Sequence, residues 1–170
     1  LEFPFATPDH ASKLPSDNCY AIAPSIVRPA SRGSVKLVSS DGTAAPAIDV
    51  NYMGCDADIN AMLAAVELTR ALGAADSFAE FRKREVMPGP LSRNEMIEFV
   101  KNGATTYFHP TSTCQMGIDV ESVVDPDLRV YGIEGLRIAD ASILPQVTSG
   151  NTNAPSIMIG ERCSDMIRAK

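Results

Sequence analysis

Apolar and polar positions first alternate at period two. The run Ser34-Val35-Lys36-Leu37-Val38-Ser39 predicts a half-buried strand. Asp41-Gly42 follows as a turn, and Ala47-Ile48-Asp49-Val50 reads as a short return strand. Residues 20–28 read as an extended segment that Pro24 confines to an edge or a bulge. The first fifty residues therefore predict antiparallel sheet.

From Asp56 the period becomes helical. Asp56 and Asp58 place acid at the start, and Ile59, Met62, Leu63, Val66 and Arg70 recur along one face, with Gly73 as the stop. A second helix starts at Ser92, whose spacing to Glu95 makes a capping box. It runs through Met96, Ile97, Phe99 and Val100 to Gly103. The loop Val86-Met87-Pro88-Gly89-Pro90 separates the two, because helix cannot cross it. Beyond Gly103, Val123 to Val130 reads as a turn leading into a short strand, and Leu136-Arg137-Ile138-Ala139 as a strand ending at Asp140. Pro155 opens a last helix through Ile157, Met158, Ile159 and Met166, with Asn153 as candidate cap. Strand, loop and helix in that order are the local grammar of a nucleotide-binding α/β layer.

Composition narrows the function classes. With 170 residues, 45% hydrophobic and 21% charged, the chain has the make-up of a globular domain rather than of disorder. A net charge of −6 argues against nucleic acid, which needs clustered cations. The one dense basic run, Arg82-Lys83-Arg84, is closed by Glu85 and reads as a solvated helix end. No apolar run reaches the roughly 20 residues of a membrane span. Cys19, Cys55, Cys114 and Cys163 are scattered without a C-x-x-C pair, so they read as reduced core residues and favour a cytoplasmic location. His10 and His109 lie far apart with no cysteine at ligand spacing, which argues against zinc. Residues 1–18, with Pro4, Pro8, Pro15 and a solvated His10, read as an irregular segment. A start at Leu1 fits a cut precursor, a proteolysed piece or a deliberately split chain.

The candidate chemistry lies in the last third. Tyr107-Phe108-His109-Pro110-Thr111-Ser112-Thr113-Cys114-Gln115-Met116-Gly117 holds one histidine, Leu136 to Ser142 holds an Asp-Ala pair, and Ser149-Gly150-Asn151-Thr152-Asn153-Ala154-Pro155 is rich in amides. Together with Ser31-Arg32-Gly33-Ser34-Val35, Ile48-Asp49-Val50-Asn51-Tyr52 and Asp125-Pro126-Asp127-Leu128-Arg129-Val130, these segments stand in an order that resembles the glucose-methanol-choline (GMC) family of FAD-dependent oxidoreductases. The resemblance runs from about Tyr20 onward, and choline-dehydrogenase-like members are the most similar because the partner of the histidine is an asparagine.

The resemblance implies an α/β (mixed α+β) fold. Residues 19–106 would be part of an antiparallel-sheet substrate-binding domain, and 107–170 the histidine segment with the last strand and helix of a Rossmann-like FAD-binding domain. It implies His109 as the base and Asn151 as its partner. Asp140, Ala141, Thr152, Asn153 and Ala154 would meet FAD, and Tyr107 and Phe108 the substrate. The family's G-x-G-x-x-G loop is absent, so the expected partner is an N-terminal FAD-binding polypeptide of the same enzyme. The expected substrate is a small alcohol.

Chemistry supports these roles independently. Oxidising an alcohol moves a hydroxyl proton to a base and a hydride to flavin, and imidazole suits the first task near neutral pH. An amide hydrogen-bonds the developing alkoxide. Blander readings stand beside each role: a hydrogen-bonded core histidine at 109, turn and cap asparagines at 151 and 153, and a loop-capping Asp140. Cys114 reads as a buried thiol rather than half of a Cys-His nucleophile, and Met116, Met158 and Met166 as core packing. Two other functions share the fold, a hydroxynitrile lyase without net redox chemistry and a non-catalytic binding or assembly module.

Overall fold

In the computed structural model, which describes residues 19–169, the apolar stripe at Ile59, Met62, Leu63 and Val66 forms helix α1 (Asp56–Gly73). Helix α2 (Arg93–Gly103) starts on the expected capping box. The Ser92 hydroxyl accepts from the Glu95 amide at 3.4 Å, and the Glu95 carboxylate accepts from the Ser92 amide at 2.8 Å. Two of the four donors that a helix start leaves unpaired are thereby satisfied. The inward faces of the helices meet in a core of Met53, Ile59, Val66, Met96 and Val100.

Both helices belong to one of two compact units, made of the described residues up to Gly33 together with Val50–Thr105. Within this unit Arg70 ties the proline-rich loop to α1, bonding Glu67 at 2.9 Å, Glu85 at 3.1 Å and the Gly89 carbonyl at 2.6 Å. The basic run 82–84 is no helix end of its own, since it follows the short 3-10 turn Asp76–Phe78. Arg82 reaches back to donate to the Gly73 carbonyl at 2.7 Å and so closes α1. Residues 20–28 join no strand, Pro24 offering no donor to a ladder.

The second unit holds Ser34–Asp49 and the residues from Thr106 on. Its sheet is a hairpin of β1 (Ser34–Lys36) and β2 (Ala47–Asp49), antiparallel with Val35 opposite Ile48. The expected half-burial is not met, because Val35 and Ile48 are 50% and 66% exposed. The core of this unit is Val124, Leu128, Ile143, Ile159 and Cys163. Met116 and Met166 pack against that core, whereas Met158 stands exposed. Of the four free thiols only Cys163 is buried; Cys19, Cys55 and Cys114 are half-buried.

The two expected strands between Val123 and Ala139 are reduced to isolated bridges, Val124 with Val130 and Arg129 with Arg137. The reason is local. The Asp125 carboxylate accepts from the amides of Asp127 and Arg129, both at 2.9 Å, and Leu128 sits at φ +65°, so the chain turns before a ladder can extend. Helix α3 (Asn153–Arg168) begins two residues before Pro155. The fold is thus a mixture of helices with one small antiparallel sheet, and the described residues form no parallel Rossmann-like layer. Residues 1–18 and His10 within them, read as an irregular segment, lie outside the described residues.

Candidate active site around His109

Alternate amides hold the histidine segment in place. Ser112, Cys114 and Met116 donate to the carbonyls of Ala141, Ser142 and Ile143 at 3.5, 3.0 and 2.8 Å. That ladder lays the segment along the 3-10 turn Ala141–Ile143, directly after Asp140. Phe108 and Ser112, which flank His109, adopt φ of +62° and +73°, a region that residues with a Cβ seldom occupy. The chain therefore bends sharply on both sides of the ring.

The His109 ring is anchored at one nitrogen and unpartnered at the other. Its Nδ1 lies 3.1 Å from the Thr152 hydroxyl, a contact across 43 positions of sequence. Tyr107 meets the ring edge-on, the centroids 6.0 Å apart. Nε2 is buried and has no hydrogen-bond partner. A buried polar atom without a partner is uncommon in folded proteins and calls for an explanation.

Thr152 holds the N-cap position of α3, where a threonine side chain ordinarily accepts from its own helix. Here it makes no such bond. Asn153 is the first helical residue rather than the cap. The Thr152 carbonyl instead accepts from the Ser156 amide at 3.0 Å and from its hydroxyl at 2.7 Å, which fixes the residue and leaves its hydroxyl to His109. Sequence reading missed this link, since it took Asn153 as the cap and gave Thr152 a place beside FAD.

The other candidates surround this contact unevenly. Asn151, Asn153 and Ala154 are exposed beside Thr152 at the start of α3. Asp140 caps the 3-10 turn, its carboxylate accepting from the Ser142 amide at 2.7 Å. The Ser142 hydroxyl and amide hold that carboxyl below its ordinary value, so it is an anion at neutral pH. Ala141 is half-buried beneath it, whereas Tyr107 and Phe108 are exposed. Three segments distant in sequence, 107–117, 140–143 and 151–154, are thus joined by hydrogen bonds. Among the described residues no cluster of His, Cys, Asp and Glu could hold a metal ion, and no helix is long and apolar enough to cross a membrane.

This arrangement, a histidine with one free buried nitrogen beside an amide-rich helix start, stands on a chain that belongs to the GMC oxidoreductase family, whose pattern matches residues 29–160. Its relatives are alcohol- and choline-oxidising enzymes. The chain is 41% identical over 164 residues to the alcohol dehydrogenase [acceptor] of Pseudomonas putida, covering 95% of this chain and 30% of that protein. It is 46% identical over 146 residues to an oxygen-dependent choline dehydrogenase of Escherichia coli O157:H7, covering 85% of this chain and 26% of that protein. The chain thus spans less than a third of the length of these relatives. Pyridoxine 4-oxidase from Mesorbium loti superposes with a TM-score of 0.79 at 34% identity, over 85% of this chain and 28% of that one. A formate oxidase of Aspergillus oryzae RIB40, studied for its FAD modification, gives 0.77 at 35%, over 85% of this chain and 26% of that one.

Proposed function

We propose that this chain carries the proton-accepting side of an FAD-dependent oxidation of a small alcohol. The observation that carries the reading is the buried, unpartnered His109 Nε2 on a ring held at its other nitrogen. FAD is the cofactor, in keeping with structural neighbours that include an FAD-dependent oxidoreductase from Chaetomium thermophilum. The residues present fit such a group: an unsatisfied imidazole nitrogen, an anionic Asp140 to accept from cofactor hydroxyls, and exposed first-turn positions at Asn153 and Ala154.

When bound, FAD supplies the hydride acceptor at its N5 position. The chain's own residues handle the proton. His109 accepts the substrate hydroxyl proton at Nε2, and the amide of Asn151, next in sequence to Thr152, donates to the oxygen that gains charge. The positive end of α3 favours negative charge near Asn153 and Ala154. Asp140 and Ala141 would hold the ribityl and pyrophosphate portion, and Tyr107 and Phe108 would line the substrate's side. On this reading 19–106 contributes to substrate binding and 107–170 to the active site and the FAD-binding part. An N-terminal FAD-binding polypeptide of the same enzyme completes the site and covers apolar side chains exposed here, such as Ile157 and Val120.

The test is anaerobic mixing of the flavin-loaded enzyme with choline and with simple primary alcohols. Bleaching of the oxidised flavin band supports the reading. A flavin that stays oxidised while a cyanohydrin is cleaved would replace it with the lyase.

A further inference from the structure

We infer that Thr152 is a positioning residue that sets the tautomer of His109, accepting a hydrogen bond from Nδ1–H and so presenting Nε2 as the bare, proton-accepting nitrogen. The inference rests on the proposed role of His109 and adds to it the residue that makes the base usable from one side.

A neutral imidazole has one N–H and one lone pair, and the partner of one nitrogen decides which is which. The Thr152 hydroxyl lies 3.1 Å from Nδ1 and is the ring's one hydrogen-bond partner among the described residues. Were that hydroxyl to donate, Nδ1 would hold the lone pair and the buried Nε2 would already carry a proton. The ring could then take no proton at its unpartnered nitrogen. With Thr152 accepting, Nε2 begins unprotonated, and the same bond persists after the proton arrives because Nδ1–H is present in both states. The anchor need not rotate during the step, which avoids reorganisation.

Three further observations fix where that hydroxyl and the ring stand. The Thr152 side chain makes no cap bond to α3, so it is not engaged elsewhere in the helix start. The Thr152 carbonyl is held twice by Ser156, so the hydroxyl is presented from a fixed backbone. The positive φ at Phe108 and Ser112 bends the chain on both sides of the ring that meets it.

The experiment has two arms on the flavin-loaded enzyme. In the first, nitrogen-15 NMR of histidine-labelled enzyme reads the His109 tautomer, with His109→Gln assigning the signals. A pyridine-type Nε2 and a pyrrole-type Nδ1 support the inference, and the reverse overturns it whatever the fate of the catalytic reading. In the second, Thr152→Val keeps the shape and removes the hydroxyl, while Thr152→Ser restores it. The expectation is a 10–100-fold fall in the rate of anaerobic flavin reduction for Thr152→Val, in kcat rather than KM, with recovery in Thr152→Ser. A Thr152→Val enzyme that reduces its flavin at the original rate overturns the inference. If Thr152→Val fails to bind flavin, the tautomer of the unaltered enzyme decides alone. His109→Ala run in parallel separates the two levels: no loss there removes the base reading, whereas a loss there with an unchanged Thr152→Val removes only the positioning role.

Discussion

Each of the two units takes polar side-chain atoms out of water, Asp58 as a whole and His109 at its Nε2, and they are treated in opposite ways. In the first, Asp58 is 3% exposed on the first turn of α1 and every side of its carboxylate is engaged. One oxygen accepts from the Ala30 amide at 2.7 Å, the other from the Ser31 amide at 2.8 Å and also from the Ser31 hydroxyl. In the second, His109 has one nitrogen bonded and the other buried without a hydrogen-bond partner. Burying a charge is tolerated when hydrogen bonds replace the lost water, so the saturated Asp58 needs no explanation beyond holding the 29–32 segment to α1. The unsaturated His109 does need one. On the proposed reading, a buried nitrogen without a hydrogen-bond partner marks His109 as a group kept for chemistry rather than for folding.

The largest expected effect follows from that difference. His109→Ala should lower the turnover of the holoenzyme by about 10²–10⁴-fold, while its unfolding midpoint in urea stays where it was, because the ring makes one side-chain bond and leaves one buried atom unsatisfied. Stopped-flow flavin reduction and equilibrium unfolding on the same preparation check both halves. A variant that loses stability in step with activity would mean that His109 is structural and that the contrast with Asp58 is empty.

How much of this was legible beforehand depended on the range of the interactions. Helices α1 and α2 follow from apolar spacing and from a capping box contained within four residues, so sequence reading places them to within a residue or two. The strands between Val123 and Ala139 failed because the Asp125 turn and the left-handed Leu128 interrupt a β-like pattern, an effect that alternation does not reveal. In the site, the residue types of the histidine segment, the Asp-Ala corner and the amide loop were visible as motifs. The bonds that matter were not. Ser31 and Asp58 are 27 positions apart, and His109 and Thr152 are 43. Contacts of that range exist only once the fold has brought the segments together, and in Thr152 they override the local preference for capping.

Asp58→Ala sharpens the comparison from the other side. It removes the acceptor for two backbone amides and one hydroxyl and should destabilise the fold by about 3 kcal/mol, with the rate of flavin reduction per folded enzyme unchanged. The pH dependence has a definite sign. Burial pushes the Asp58 carboxyl up, but bonds from the Ser31 hydroxyl and the Ala30 and Ser31 amides outweigh it and hold the group below its unfolded value of 3.8. A carboxyl lowered on folding adds stability that is fully present above the unfolded value and disappears as pH falls through the folded one. Urea midpoints of the unaltered enzyme should therefore decline below pH 3.8, and Asp58→Asn should lose that part of the decline. Equal declines in the two proteins would show that the Asp58 bonds do not favour its charged form.

The smallest expected effect tests whether burial, rather than bonding as such, makes Asp58 matter. Ser92 and Glu95 also bond each other's amides and each other's side chains, but in the open at the start of α2. Ser92→Ala leaves a helix donor that water can reach, so it should cost about 1 kcal/mol, well under the loss at Asp58. Urea unfolding of Ser92→Ala beside Asp58→Ala gives the ratio directly. If the two losses are equal, solvent compensates neither site and saturation alone sets the cost. If Ser92→Ala is the milder, the missing water around a buried group sets it, and the same missing water makes an unpartnered Nε2 at His109 a demand for a ligand.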